Sequence, residues 1–374
     1  MLDDVGIDAL IACRPENLRY LLGALPPSGQ RPGACWAVLP ADPAKPIGAV
    51  WSEADLIALP AETVEMVEAR SHGPDAFLPA ADPLTGEAID ALRERIERSR
   101  QTRLPDAPAA LDGLLDALAL DGAQIAFDDP AALIDLDAGV LLRRPTGADL
   151  FRRIRAVKTG PELARLRACA EANATAVRAA LTVAEPRRSW REVGDAWRRE
   201  MASAGAEWAV WESRLAGDLV PPARQIVARH DPIGVLAAGA LDGYWSEIGR
   251  AAFVGDRLPK AEKAARMLSA AFAAFVPALV PGTPIDSLVR AYEEAVAGAG
   301  APLAAADPIR GMGLERAELP AVGDTLEPGN VVVVSFAYRE LGWASLTLAE
   351  PLRIDERGAA RLCDLPLDLL LTRG

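Results

Sequence analysis

The order of strand-like and helix-like segments changes near residue 147, and that change limits the folds open to this chain. Before it, apolar strand-like runs alternate with amphipathic segments. IDALIAC (residues 7–13) reads as a strand and leads into the helical stretch PENLRYLLG. ACWAVLP and PIGAVWS are strand-like and bounded by the turn-rich PPSGQRPG and PADPAKP; DALRERIERSR is a charged amphipathic helix, and AQIAFDD another strand. Such alternation is the pattern of an α/β domain. After residue 147, helices and strands come in blocks, which is the pattern of an α+β domain. With 374 residues, two domains can each bury a core.

The segment RRIRAVKTGPELARLRACAEAN reads as the hinge between them. Thr159 and Glu162 are spaced as a capping box, and Pro161 suits a first helical turn. Leu163, Leu166, Ala170, Val177 and Leu181 follow at helical spacing. Ser189 to Glu192 opens a second helix that runs to about Ala204. A third spans 259–279 and breaks at Pro281-Gly282, and Thr283 to Asp286 opens a fourth, with Leu288 and Tyr292 turned inward. Strands are expected at 243–254, 330–337, 345–354 and near 360.

The formal net charge of −13 argues against nucleic acid and anionic membrane as partners, because both require a basic surface. No apolar run approaches the ~20 residues of a membrane span. The N-terminal MLDDVGIDAL carries acids where a signal peptide carries lysines. The four cysteines have no CxxC spacing, so they read as small buried apolar residues in a reducing cytosol. A cytoplasmic protein is expected. The chain has only two histidines, His72 and His230, which leaves few ways to build a histidine-dependent site. With no Walker-type or GxGxxG loop, nucleotide binding has no support.

Several segments together resemble the prolidase, aminopeptidase P and creatinase family. GIDALIACRPENLRYLLG is similar to that family's opening, and RAVKTGPELARLRACAEAN to the entry of its catalytic domain. GYWSEIGRAAFVGD (243–256) resembles its Gly-Tyr-x-x-Asp-x-x-Arg strand, and GMGLERAELP (311–320) its second histidine-bearing segment. LEPGNVVVVSFAY and IDERGAARL resemble its closing strands. The resemblance runs along nearly the whole chain in order. It implies a creatinase-like α/β N-terminal domain over 1–147 and an α+β "pita-bread" C-terminal domain over 148–374. It also implies a homodimer.

In the metallopeptidases of this family, two aspartates, one histidine and two glutamates hold two metal ions. Carried over by position, the aspartates fall on Leu236 and Glu247, the histidine on Arg310, and the first glutamate on Ser335. The last falls on Ala349, or on Glu350 if the strand slips by one; Ala349 is preferred, since a slip moves the side chain to the other face. A second histidine position falls on Ala317, and the upstream proton-shuttle segment reads LAGDLVPP. At most two oxygen donors remain of five ligands, so no metal and no other cofactor is expected.

Each surviving polar residue has an ordinary reading and a functional one. Glu247 is either the ion-pair partner of Arg310 or Arg250, or a general acid or base tuned by burial. Arg310 either neutralises Glu247 or grips a substrate carboxylate. Glu318, like Glu315 beside it, caps a loop or assists at the pocket, and Glu350 has the same assisting role if the strand slips. Ser335 lacks a histidine partner, so it packs rather than attacks. His230 reads as a turn residue, though it is the domain's only histidine able to serve a site, and His72 as a surface residue. Trp245 packs or flanks a small-molecule ligand. Two functions stay open: a metal-independent hydrolase of a C–N bond in a small amino-acid-like or guanidino substrate, as in creatinase, or a catalytically inactive homologue that binds a small molecule or supports a partner.

Overall fold

The computed structural model describes the chain except residues 1, 3, 4, 32, 78–84, 130–146, 216–225, 257, 301–307, 341, 373 and 374, and except the side chains of 212–215. It divides into two compact units, Met1–Arg152 and Arg153–Gly374.

In the first unit the elements are β1 (Ala9–Ala12), α1 (Pro15–Leu22), β2 (Trp36–Pro40), β3 (Gly48–Ser52), α2 (Ala61–Met66), β4 (Glu68–His72), α3 (Glu87–Gln101), β5 (Arg103–Leu104), α4 (Ala107–Ala117) and β6 (Ile125–Phe127). They form one mixed sheet in the order β5-β4-β3-β2-β1-β6. The pairs β1/β2 and β2/β3 are antiparallel, whereas β1/β6, β3/β4 and β4/β5 are parallel. Parallel pairing requires crossovers, and α2, α3 and α4 provide them. Leu111, Leu114 and Leu118 pack on Ile11, Val38 and Val50 in the core of this layer. At the start of α1 no local side chain caps the helix. Asp128 does so from the end of β6, accepting from the backbone N–H groups of Cys13 (2.9 Å) and Arg14 (3.1 Å) and from Asn17 Nδ2 (2.7 Å).

The division between the units falls within helix α5 (Gly147–Ala156). The second unit continues with α6 (Gly160–Thr182), α7 (Trp190–Ser203), β7 (Trp208–Leu215), β8 (Pro232–Leu241), β9 (Tyr244–Val254), α8 (Pro259–Phe275), α9 (Ile285–Gly298), β10 (Ile309–Gly311), β11 (Val331–Glu340), β12 (Ala344–Asp355), β13 (Gly358–Arg361) and β14 (Leu370–Thr372). Its eight-stranded sheet has the path β10-β11-β12-β9-β8-β7, with β13 on β12 and β14 on β9. The box at α6 forms: Glu162 Oε2 accepts from the Thr159 N–H at 2.9 Å and its hydroxyl at 2.8 Å.

The helices cover one face of this sheet. Asn173 of α6, fully buried, donates to the carbonyls of Ala237 and Ser246 and accepts from Trp197 Nε1 at 3.0 Å. Helices α8 and α9 pack Leu268, Phe272, Phe275, Leu288 and Tyr292 on Val334, Phe336 and Leu348. At Gly234 and Gly249 the backbone of β12 comes very close. A Cβ on Gly234 would stand 1.9 Å from the Ser345 carbonyl oxygen, and one on Gly249 2.6 Å from the Ala349 nitrogen. Only glycine permits that approach. All four cysteines are buried and free, and burial pushes the Cys169 thiol up to about 12. Among the described residues, no helix is long and apolar enough to cross a membrane.

Candidate functional site

Strand pairing decides which side chains share a face. Ser335 stands opposite Ala349, Ala349 opposite Gly249, and Gly249 opposite Leu236. Glu247 and Trp245 precede Gly249 by two and four residues, and Arg310 stands opposite Val333, two before Ser335. Because side chains alternate along a strand, Leu236, Trp245, Glu247, Arg310, Ser335 and Ala349 lie on one face, the one turned away from α8 and α9.

Glu247 is 2% exposed and both its oxygens are occupied. Oε1 meets Arg310 Nη2, and Oε2 accepts from Arg316 Nε at 2.7 Å. Arg310 Nε in turn donates to the Arg316 carbonyl at 3.3 Å. The loop that supplies Arg316 is tied to β9 by the Trp245 N–H, which donates to the Gly313 carbonyl at 2.8 Å. Arg316 was not legible as a site residue, because a loop arginine in LERAELP looks like any solvated charge.

Glu318 does not join this group. Its side chain is fully buried, with Oε1 against Lys158 Nζ and Oε2 3.2 Å from Arg155 Nη2. Arg155 also meets Glu315, and Lys158 Nζ donates to the Arg155 carbonyl. A Cβ on Gly313 would fall 1.9 Å from Glu318 Oε1, so this carboxylate fills the space beside the glycine. Glu318, expected to cap a loop or assist at the pocket, is enclosed by two cations from the hinge. Neither Arg155 nor Lys158 stood out in the sequence, though both belong to the RRIRAVKTG run.

Glu350 lies apart from this group as well. It stands opposite Val334, on the face that the helices cover, and not opposite Ser335. Fully buried, it pairs with Arg250 Nη2 and, at 2.7 Å, with Arg361 Nε. Arg250 donates as well to the carbonyls of Gly249, Ala349, Leu365 and Pro366, which saturates it. The pairing that places Ala349 beside Ser335 thus separates Glu350 from Glu247. Arg250, offered as an alternative partner of Glu247, belongs to Glu350.

His230 is an exposed residue in a left-handed turn (φ 70°), whose backbone N–H donates to the Val254 carbonyl. That lies ~20 Å along β9 from Glu247 at ~3.3 Å per residue, so His230 does not join the group. His72, expected at the surface, is half-buried in β4, with Nε2 2.8 Å from the Ala34 carbonyl oxygen. Ser335 is half-buried, and its carbonyl accepts from Tyr292 Oη at 3.0 Å. Ala317 is exposed. The segment LAGDLVPP (215–222), to which the resemblance assigned a proton shuttle, lies outside the described residues from 216 on.

A profile of metallopeptidase family M24 matches residues 166–367. The chain belongs to this family. Solved structures of the family's pita-bread type share the fold. Dipeptidase PepE from Mycobacterium ulcerans is 19% identical, with a TM-score of 0.69 over 100% of this chain and 95% of that one. An Xaa-Pro dipeptidase from Bacillus anthracis is 16% identical, with a TM-score of 0.68 over 99% and 96%. A prolidase from Pyrococcus furiosus is 18% identical, with a TM-score of 0.63 over 96% and 97%. No curated protein sequence matches the chain. The α/β N-terminal and pita-bread C-terminal architecture that the resemblance implied is thus the architecture present.

The side chains at the family's metal positions do not fit two metal ions. Leucine, serine and alanine occupy three of them, and the single carboxylate is neutralised by two guanidinium groups. At ~4 Å and an effective dielectric of ~20, a unit charge pair is worth about 4 kcal/mol; a divalent ion beside Arg310 would meet about 8 kcal/mol of repulsion. Among the described residues, no three His, Cys, Asp or Glu side chains cluster to hold an ion.

Proposed function

We propose that this chain is a non-catalytic M24 family member, in which an ion-pair network replaces the hydrolytic centre and the fold serves to bind a small molecule or to support a partner. The observation that carries this reading is the occupation of both Glu247 oxygens by Arg310 and Arg316. A general acid or base needs a lone pair or proton directed at a substrate. Glu318 and Glu350, the other two carboxylates considered, are equally committed to cations. A cytoplasmic homodimer without bound metal belongs to the same proposal.

The reading of a metal-independent C–N hydrolase has one observation in its favour. Arg310 keeps 19% of its side chain exposed, beside half-buried Ser335, and so has surface left for a ligand carboxylate. One set of measurements separates the two. Purified protein is assayed against Xaa-Pro dipeptides and small N-substituted amino acids, with manganese, zinc or chelator. No turnover above blank and a melting temperature unaffected by metal are the expected results. Metal stabilisation reversed by chelator would overturn the metal-free reading. Chelator-insensitive turnover abolished by Glu247→Gln would establish the hydrolase.

A further inference from the structure

On helix α3 of the N-terminal unit a half-buried arginine, Arg95, and the buried Ser99 stand beside Arg98, which is exposed. Arg95, Arg98 and Ser99 recur at the i, i+3, i+4 spacing that puts residues on one helix face. That face borders a cavity of about 190 Å³ whose lining also includes Arg70 of β4 and the apolar Trp51 and Leu56. Three guanidinium groups thus meet in one cavity of a chain whose net charge is −13.

Only one of the three is neutralised. Arg70 Nη1 pairs with Glu68 Oε1 at 2.5 Å, and Glu68 is the one carboxylate in the lining. Neither Arg95 nor the exposed Arg98 pairs with a described carboxylate, and the buried Arg95 Nε has no hydrogen-bond partner. Ser99 is 8% exposed, yet its buried Oγ is also unpartnered. Its carbonyl is not the cause, since that oxygen already accepts from Ser71 and Thr102. Buried donors are ordinarily satisfied, so a wall with an orphaned guanidinium nitrogen and an orphaned hydroxyl lacks acceptors. An oxyanion supplies them, and arginine's planar fork matches carboxylate and phosphate oxygens alike.

We propose that this cavity binds a small organic anion, with a carboxylate or phosphate head held by Arg95, Arg98 and Ser99 and a short apolar body toward Trp51 and Leu56. The volume limits the ligand: about 190 Å³ is below the roughly 300–1,000 Å³ of sites for drug-sized molecules. The site lies entirely in the N-terminal unit, so it stands or falls independently of the Glu247 network.

The test is calorimetric titration of the full chain, at low ionic strength, with phenyl phosphate, with benzoate, and with benzyltrimethylammonium as the cationic control. Saturable binding of at least one anion is expected, with the tighter of the two identifying the head group. Affinity should fall at least tenfold in the double variant Arg95→Gln with Arg98→Gln and severalfold in Ser99→Ala. Arg95→Lys, which keeps the charge and the helix but loses the fork, should also weaken binding, and serves if the double variant does not fold. Absence of saturable binding by both anions, equal binding of the cation, or affinity unchanged in the folded variants would overturn the site.

Discussion

Arg310, on the edge strand β10, reaches Oε1 of Glu247 on β9 across the two strands that lie between them in the sheet. The resemblance to the family's peptidases assigns both positions to metal ligands. The contact turns a place for cations into a place where a cation is already built into the chain.

Glu247→Gln tests how much this network stabilises. The substitution keeps size and one acceptor but leaves two guanidinium groups without a counter-charge. Breaking a buried pair from one side costs about 3–5 kcal/mol, and the partial exposure of both arginines lowers the expected loss to about 2–4 kcal/mol. The readout is the urea midpoint at unchanged slope. A loss below about 0.5 kcal/mol would class the pair with ordinary surface bridges.

Lys158 and Glu318 are both buried, so neither tolerates losing the other. Lys158→Met is expected to cost about 3–5 kcal/mol. Adding Glu318→Gln should return part of it, with a coupling of at least about 1 kcal/mol in the double-mutant cycle. Strict additivity would mean that Arg155 alone holds the carboxylate.

Two glycines predict opposite outcomes for the same substitution. Gly234→Ala would place its Cβ 1.9 Å from the backbone oxygen of Ser345, and should cost more than about 3 kcal/mol or prevent folding. Gly298→Ala, at the end of α9, meets nothing within 4 Å. It should stabilise by about 0.5–1 kcal/mol through helix propensity and a less flexible unfolded chain. Thermal melts of the two variants decide both.

Acid should loosen the N-terminal unit through Glu53. Burial pushes its carboxyl up, but the hydrogen bond from Arg100, the Phe77 N–H and the charges of Arg100 and Arg103 together outweigh burial and hold it below the ordinary range. A depressed folded value means the stabilisation is complete above the unfolded value, near ~4.3, and fades as pH falls through the folded one. Melting temperatures recorded downward from pH 6 should therefore hold until about 4.3 and drop as pH falls from there through the folded value. Glu53→Gln should be less stable at neutral pH and show a flatter acid limb; an unchanged limb would remove Glu53 from the account.

Much of the fold was legible. The capping box at Thr159, the helix start at Ser189, and the strands around 244–254, 331–340 and 344–355 are local signals of periodicity and turn chemistry. Strand β8 was less so, because VLAAGAL is apolar on both faces and offers no alternation to read. The cap on α1 was invisible, since Asp128 reaches it from more than a hundred residues away.

The sequence, through its resemblance to the family, implied which side chains stand at the ligand positions: leucine, glutamate, arginine, serine and alanine. It also confined the choice at the last position to Ala349 or Glu350, because a strand has two faces. Tertiary structure alone decided the pairing, which sets Ala349 beside both Ser335 and Gly249 and turns Glu350 to the other face. It also decided which carboxylate belongs to which cation: Glu247 to Arg310 and Arg316, Glu318 to Arg155 and Lys158, Glu350 to Arg250 and Arg361. Those partnerships join residues from 11 to 163 positions apart. Spacing along a chain carries no record of such contacts; they exist only once sheet pairing has brought the strands together.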